Sequence, residues 1–281
     1  MKAHEFESCC RDRASLSLCS SFVTVILKPH TFDETANMPL FIVATPLGNL
    51  SDMSPRAIET LKAAQVIAAE DTRSARRLMA AFDISADGKQ ILSYGEHNEV
   101  GMAPRLAEML TRGTSVAVVS EGGTPLVSDP GYRLLRAAID AGVAVVPIPG
   151  PSAAIAALSA SGLPVHGFIF RGFLPKKPGA RGRILESLKD REETLIFYES
   201  PQRVLKVLPE FVAIFGAERQ ACLARELTKI HETFVRMTLG ELADFVEKQP
   251  PRGECTLLVA GITRGKSGRE DDEPEESQEE S

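Results

Sequence analysis

From residue 40 onward, short apolar runs alternate with segments of helical spacing, and three of the runs end in loops rich in glycine and proline. That alternation constrains the fold more than any other feature. Strands that take turns with helices build an α/β sheet whose crossovers cover its faces. Strands are expected at 40–44, 65–69, 91–93, 115–119 and 143–148, with helices at 55–64, 72–81, 101–112, 131–141 and 152–161. Pro55 and Ser152 suit helix starts, and Gly113 and Gly142 suit helix ends. A second set follows a Gly/Pro-rich passage, with strands near 167–171, 194–198, 221–225, 232–237 and 255–260 and helices at 179–189, 201–215 and 239–248. A hairpin around Leu227-Thr228-Lys229 makes the second sheet mixed or antiparallel. The expectation is two α/β domains, 39–153 with a mostly parallel sheet and 154–262 with a mixed one.

The ends read differently. Residues 1–38 form an N-terminal extension with a Ser/Cys-rich patch and no repeated pattern. Met38 stands directly before the first strong strand, so 1–37 is read either as a misassigned start or as a flexible arm. The tail 263–281 is expected to be disordered, because 270–281 carries eight acids and no bases. Of the 32 Lys and Arg, 28 lie between 39 and 269, against 25 of the 38 Asp and Glu, so the body is mildly basic despite the overall charge of −6. Such a balance leaves nucleic acid open as a partner. No run approaches the ~18 uninterrupted apolar residues of a membrane span. Cys9, Cys10, Cys19, Cys222 and Cys255 show no CxxC pair and no zinc spacing, which suits a reduced cytoplasmic setting and no metal.

The three loops are Thr45 to Leu50, Ser120 to Gly131 and Pro149 to Ala153. In an open α/β sheet ligands bind beyond the carboxyl ends of the strands, where glycines let the backbone approach closely. None matches GxGxxG with its acidic partner or GxxxxGK[ST], which disfavours a dinucleotide or a Walker-type phosphate site. A ligand held by backbone amides and carbonyls remains, and an adenosine-bearing molecule would suit. A basic stretch, Arg171, Lys176, Lys177, Arg181 and Arg183 within thirteen residues, can track a phosphate backbone, with Phe173 free to stack on an unpaired base. Its plainer reading is a solvated loop with Phe173 in the core.

The run FIVATPLGNLSDMSPRAIETLKAAQVIAAEDTR resembles the opening of the tetrapyrrole-methylase-like superfamily, and within it the ribosomal small-subunit RNA 2′-O-methyltransferase I family. The resemblance continues through Glu96-His97-Asn98-Glu99, GGTPLVSDPG, VPIPGPSAAIAALSASGLP, FRGFLPKK, TLIFYESPQR, ARELTKIHE and GECTLLVAG, covering about 39–262. It implies a two-domain tetrapyrrole-methylase-like fold and a homodimer, with S-adenosylmethionine bound between the domains. The implied acceptor is the ribose 2′-oxygen of a decoding-centre cytidine in 16S ribosomal RNA, within the small subunit. One departure stands out: Glu121-Gly122-Gly123-Thr124-Pro125 replaces the family's usual Asp-Ala-Gly-Thr-Pro.

By position, the resemblance assigns cofactor contacts to Pro46, Leu47, Gly48, Asn49 and Leu50; to Gly123, Thr124, Pro125, Ser128, Asp129 and Pro130; and to Gly150, Pro151, Ser152 and Ala153, with Tyr198, Leu227 and Thr256 later in the chain. Methyl transfer to a ribose hydroxyl gains from positioning and from a base. Candidates are Glu70, Asp71, His97 and Glu99, with Arg73 orienting the ribose or a phosphate. Asp71 and Ser152 also read simply as helix N-caps. RNA contacts are expected from the 171–183 stretch, Arg203 and Lys229. Two alternatives stay open: methylation of a small tetrapyrrole-type acceptor on the same scaffold, and a non-catalytic ribosome-assembly factor.

Overall fold

The computed structural model describes residues 38–262; the expected N-terminal extension up to residue 37 and the acidic tail lie outside the described residues. The first sheet holds β1 (Leu40–Val43), β2 (Val66–Ala69), β3 (Gln90–Ser93), β4 (Val116–Val119) and β5 (Val145–Ile148) in the order β3-β2-β4-β1-β5. Every pair is parallel. Its helices are α1 (Pro55–Ala63), α2 (Thr72–Ala81), α3 (Glu99–Thr111) and α4 (Tyr132–Asp140). Successive side chains along a strand point to opposite faces. Phe41, Val43, Ile67, Ala69, Ala117 and Val119 therefore pack on one side with Leu61 and Met79 of α1 and α2. Leu40, Val66, Ala68, Val116 and Val118 pack on the other with Leu106 and Leu134 of α3 and α4. This two-sided cover is why β2 and β4 are unbroken apolar runs, buried at every residue. Pro147 is tolerated because β5 is an edge strand.

The second sheet holds β6 (Phe168–Phe173), β7 (Thr194–Glu199), β8 (Gln220–Arg225), β9 (Thr233–Thr238) and β10 (Cys255–Val259), ordered β6-β7-β10-β8-β9. Only β6 and β7 run parallel, so the sheet is mixed, as expected. The helices are α5 (Ala153–Ala160), α6 (Pro178–Glu186), α7 (Pro201–Phe215) and α8 (Leu239–Lys248). One face is covered by Leu185, Val204, Phe211, Leu239 and Leu242 of α6 to α8. The other receives α5, whose Ala154, Ala157 and Leu158 meet Ile196, Cys222, Ala224 and Leu258.

Two features were not anticipated. A bulge between Phe170 and Gly172 bends β6. Helix α3 begins at Glu99 rather than 101, so Glu99 sits on a helix and not in a loop. None of the helices among the described residues is long and apolar enough to cross a membrane.

Candidate functional site

Because the first sheet is wholly parallel, its five carboxyl ends share one edge, and the loops that leave them meet there. The loop after β1 is zipped to the loop after β4 by a pair of backbone bonds between Thr45 and Gly123, both 2.9 Å. Thr124 Oγ1 donates to the Pro151 carbonyl (3.1 Å) and ties in the loop after β5. Small residues permit this closeness. A Cβ on Gly150 would lie 2.9 Å from the Cβ of Ala44, and one on Gly122 would lie 3.2 Å from the Pro46 carbonyl.

These loops form one wall of a cleft of about 720 Å³ whose other wall comes from the second sheet. Leu47, Gly123, Thr124, Ser128, Asp129, Ser152 and Ala153 line the first wall, and Tyr198, Lys229 and Thr256 line the second. Four non-glycine residues beside it, Leu126, Ser128, Glu226 and Thr228, hold φ between 52° and 73°. Each such residue costs on the order of 1–3 kcal/mol, and strain of this kind gathers where a ligand or a mechanism dictates the backbone. Two close approaches hold the walls together. The bulge residue Gly172 (φ 61°) leaves a would-be Cβ only 2.6 Å from Ser128 Oγ, and Gly48 accommodates the stem of Lys229, a Cβ there lying 2.5 Å from its Cγ.

Of the five catalytic candidates, Glu70 alone lines the cleft. Its carboxyl is pushed above the usual glutamate range, first by burial and then by Glu121 and Glu96. Asp129 is pushed up to about 6 by burial, with Glu70 adding to the rise. His97 stands nearby; its ring and the Glu70 side chain flank Gly95. Asp71 instead caps α2, accepting from the Arg73 amide (2.7 Å) and Ser74 Oγ (3.3 Å), and these bonds hold its carboxyl below the usual range. Arg73 points into solvent. Glu99 is committed to structure: one oxygen accepts from the Gly131 amide (3.0 Å), the Arg133 amide (3.2 Å) and Tyr94 Oη (3.3 Å). Through that oxygen it caps α4 from the start of α3, and it does not line the cleft.

Ser152 is the N-cap residue of α5 by conformation, yet its hydroxyl makes no capping bond. Tyr198 Oη does that work for the Ala154 amide (3.1 Å). Its ring lies edge-on to Phe170 and Phe173, with centroids 4.9 and 5.6 Å away. Phe173 is 60% exposed at the cleft and so does not sit in the core. Pro46 and Gly48 line a smaller neighbouring hollow. Asn49 caps the short 3₁₀ turn Leu50–Asp52 through a bond from the Ser51 amide. Leu227 is buried against α5 in the second core. Pro125, Pro130, Gly150 and Pro151 shape the loops without lining the cleft.

The basic set divides. Arg171, Lys176, Lys177 and Arg183 are exposed. Arg181 is a correction: it lies on the helix expected here, Pro178–Glu186, but is 6% exposed, its guanidinium forked onto Glu210 with Nη1 donating to the Pro175 and Lys176 carbonyls (both 3.2 Å). Arg203 is also turned inward: its Nη2 donates to Glu199 Oε1 (2.9 Å) and the Leu174 carbonyl (2.7 Å), and its Nε lies 2.8 Å from Glu199 Oε2 as an ion pair. A guanidinium is well suited to such forked pairing. Lys229 pairs with Glu226 and Glu254, both at 3.1 Å. Sequence reasoning missed Glu199, Glu226 and Glu254, which line the cleft. Glu199 and Glu226 betray themselves only as acids next to loops whose partners are named by the fold. Cys255 also borders the cleft, its thiol pushed up to about 11 by burial and hence protonated.

The sequence pattern of the tetrapyrrole (corrin/porphyrin) methylases matches residues 39–243. A protein of Mesorhizobium japonicum called ribosomal RNA small subunit methyltransferase I is 50% identical over 221 residues, 78% of this chain and 74% of its own length. Proteins of the same name from Pseudomonas aeruginosa and Escherichia coli O157:H7 are 48% and 45% identical, covering 79% and 84% of this chain and 78% and 82% of themselves. Among solved structures, the methyltransferase CobJ superposes with a TM-score of 0.63 at 20% identity, over 82% of this chain and 97% of its own. Cobalt precorrin-4 methyltransferase CbiF does so with 0.60 at 18%, over 83% and 98%.

Proposed function

The chain belongs to the tetrapyrrole methylase family, within its ribosomal RNA small subunit methyltransferase I group, and from that premise we propose that it methylates 16S ribosomal RNA on the ribose 2′-oxygen of a decoding-centre cytidine. The observation that carries the reading is the 45–50% identity to proteins of that name over about four-fifths of the chain. The proposed setting is a homodimer in the cytoplasm acting on the small ribosomal subunit.

S-adenosylmethionine, when bound, supplies an activated methyl on a cationic sulfur. The cleft suits such a donor: its loops bring backbone amides and carbonyls close without intervening side chains, and Glu70 and Asp129 offer negative charge to a cation. The Leu47, Gly123–Thr124 and Ser152–Ala153 segments would hold the donor, and Tyr198 fixes the first turn of α5 by accepting from the Ala154 amide. Glu70, the acid of the candidate set that lines the cleft, would take the proton of the ribose hydroxyl, while the donor would supply the methyl group that this oxygen accepts. The raised affinity of Glu70 for protons favours that role. Most of the rate gain comes from alignment of oxygen, carbon and sulfur by the two walls.

The test is methyl transfer from labelled S-adenosylmethionine by the full chain to 30S subunits that lack the modification. Label mapped to a cytidine 2′-oxygen at the decoding centre is the expected result. Cofactor binding with no label in any RNA would overturn the reading and turn attention to a small tetrapyrrole-type acceptor or an assembly role.

A further inference from the structure

Beside the cleft lies a second hollow of about 310 Å³, sharing Ser74 and Glu121 with it. Its lining is largely apolar, with buried Ala75 and Val119 beside Pro46, Leu78 and the exposed Ala81, while half-exposed Leu50 and Arg77 also border it. The helix that forms one flank, α2, carries Arg73, Arg76 and Arg77. Arg73 and Arg77, four residues apart, lie above one another and Arg77 lines the hollow, while Arg76 is turned about 100° round the helix from Arg77. All are exposed, and among the described residues neither Arg76 nor Arg77 has a carboxylate within ion-pair reach. Arg77 Nη2 is steered by a bond to Ser74 Oγ (3.2 Å), the residue shared by both cavities.

An unpaired cationic face beside an apolar hollow calls for a ligand with an anionic backbone and flat apolar rings. The hollow's size, about 310 Å³, is at the lower end for small-ligand sites. Single-stranded RNA meets both demands, since its bases can be splayed into pockets or laid on arginine planes while its phosphates pair with guanidinium groups. Glu121 in the shared wall can accept a hydrogen bond from an exocyclic amino group. Resting on the functional reading above, we propose that the hollow and the α2 arginines form an acceptor-side subsite, which takes an unpaired, amino-bearing base next to the methylated nucleotide and the phosphates flanking it.

Two variants of the full chain test it. Arg76→Gln/Arg77→Gln removes two phosphate contacts from an exposed helix face. KM for 30S subunits should rise about tenfold or more near physiological salt, and the slope of log affinity against log salt should fall by about 1.4, at about 0.7 per single-strand phosphate. Ala81→Leu fills the hollow from an exposed position and should raise KM similarly with the salt slope intact. Both should keep the S-adenosylmethionine affinity measured by calorimetry. A photoreactive side chain at position 77 should cross-link to 16S RNA. Unchanged KM in the arginine variant, or cross-links confined to ribosomal protein, would overturn the subsite while leaving the methyltransferase reading intact. Absence of methyl transfer by the unaltered chain would instead sink the functional reading.

Discussion

Arg203 was expected at the RNA surface, and its inward turn makes a sharp prediction. The Glu199 side chain is 0% exposed, and its carboxyl already sits above the usual range because burial outweighs the help of Arg203. Arg203→Met leaves that carboxyl with no charge partner in direct contact and takes one donor from the Leu174 carbonyl. Removing one member of a buried pair costs about 3–5 kcal/mol. The structure also fixes the pH dependence. With no cation beside it, the carboxyl folds protonated, and holding a proton on a group whose ordinary value is 4.5 costs about 3.4 kcal/mol at pH 7 and about 1.4 kcal/mol at pH 5.5. A group raised on folding contributes stability below its unfolded value and loses it as pH rises. The variant should therefore be least impaired in acid. Urea unfolding followed by circular dichroism at pH 5.5, 7 and 8 reads this directly; with a slope of about 3 kcal/mol per molar, the midpoint drops by about 1 M at pH 7. Adding Glu199→Gln should recover most of the loss at pH 7 and less than half as much at pH 5.5. A loss independent of pH, or no recovery in the double variant, would refute the reasoning.

Three further outcomes follow from the same geometry. Asp129, raised to about 6, adds stability below 3.8 and loses it as pH climbs through 6, so Asp129→Asn should melt higher relative to the unaltered chain at pH 7.5 than at pH 4; a constant difference would contradict it. Glu99→Ala exposes the Gly131 and Arg133 amides at the head of α4 and should cost about 1–2 kcal/mol, while the pH profile of methyl transfer keeps its shape; a lost acidic limb would return Glu99 to the role of base. Gly172→Ala places a side chain at φ 61° and against Ser128, costing about 1–2 kcal/mol from the backbone alone, and should weaken cofactor binding several-fold; an unchanged melting temperature and affinity would show the two walls to be independent.

Much of this architecture is legible in the sequence, because burial on two faces writes itself as unbroken apolar runs such as VIAA and VAVV, and loop chemistry as Gly and Pro. What could not be read depends on partners far along the chain. Glu99 looks like one more polar loop residue until Gly131 and Arg133, more than thirty positions later, are folded onto it. Arg181 belongs to a basic run by sequence, yet Glu210, 29 residues on, draws it inside. The reverse holds for Arg77, an exposed helix residue that gains interest only from the hollow it lines. Local pattern reports which residues are buried, and pairing between distant segments decides what the polar ones do.

The strand order has a consequence for how the molecule comes into being. β4 lies between β1 and β2, so among the described strands β1 gains its first neighbour only when residues 116–119 have left the ribosome, and its other flank waits for β5. At about 5–20 residues per second, β1 spends several seconds of synthesis unpaired before β4 arrives. Parallel pairings of such long separation are also intrinsically slow to form. Until residue 153 emerges, the loops after β1, β4 and β5 cannot meet, and a nascent chain has no cofactor wall to offer. An arrest series halted before and after β4 should show protease resistance arising only in the longer chains.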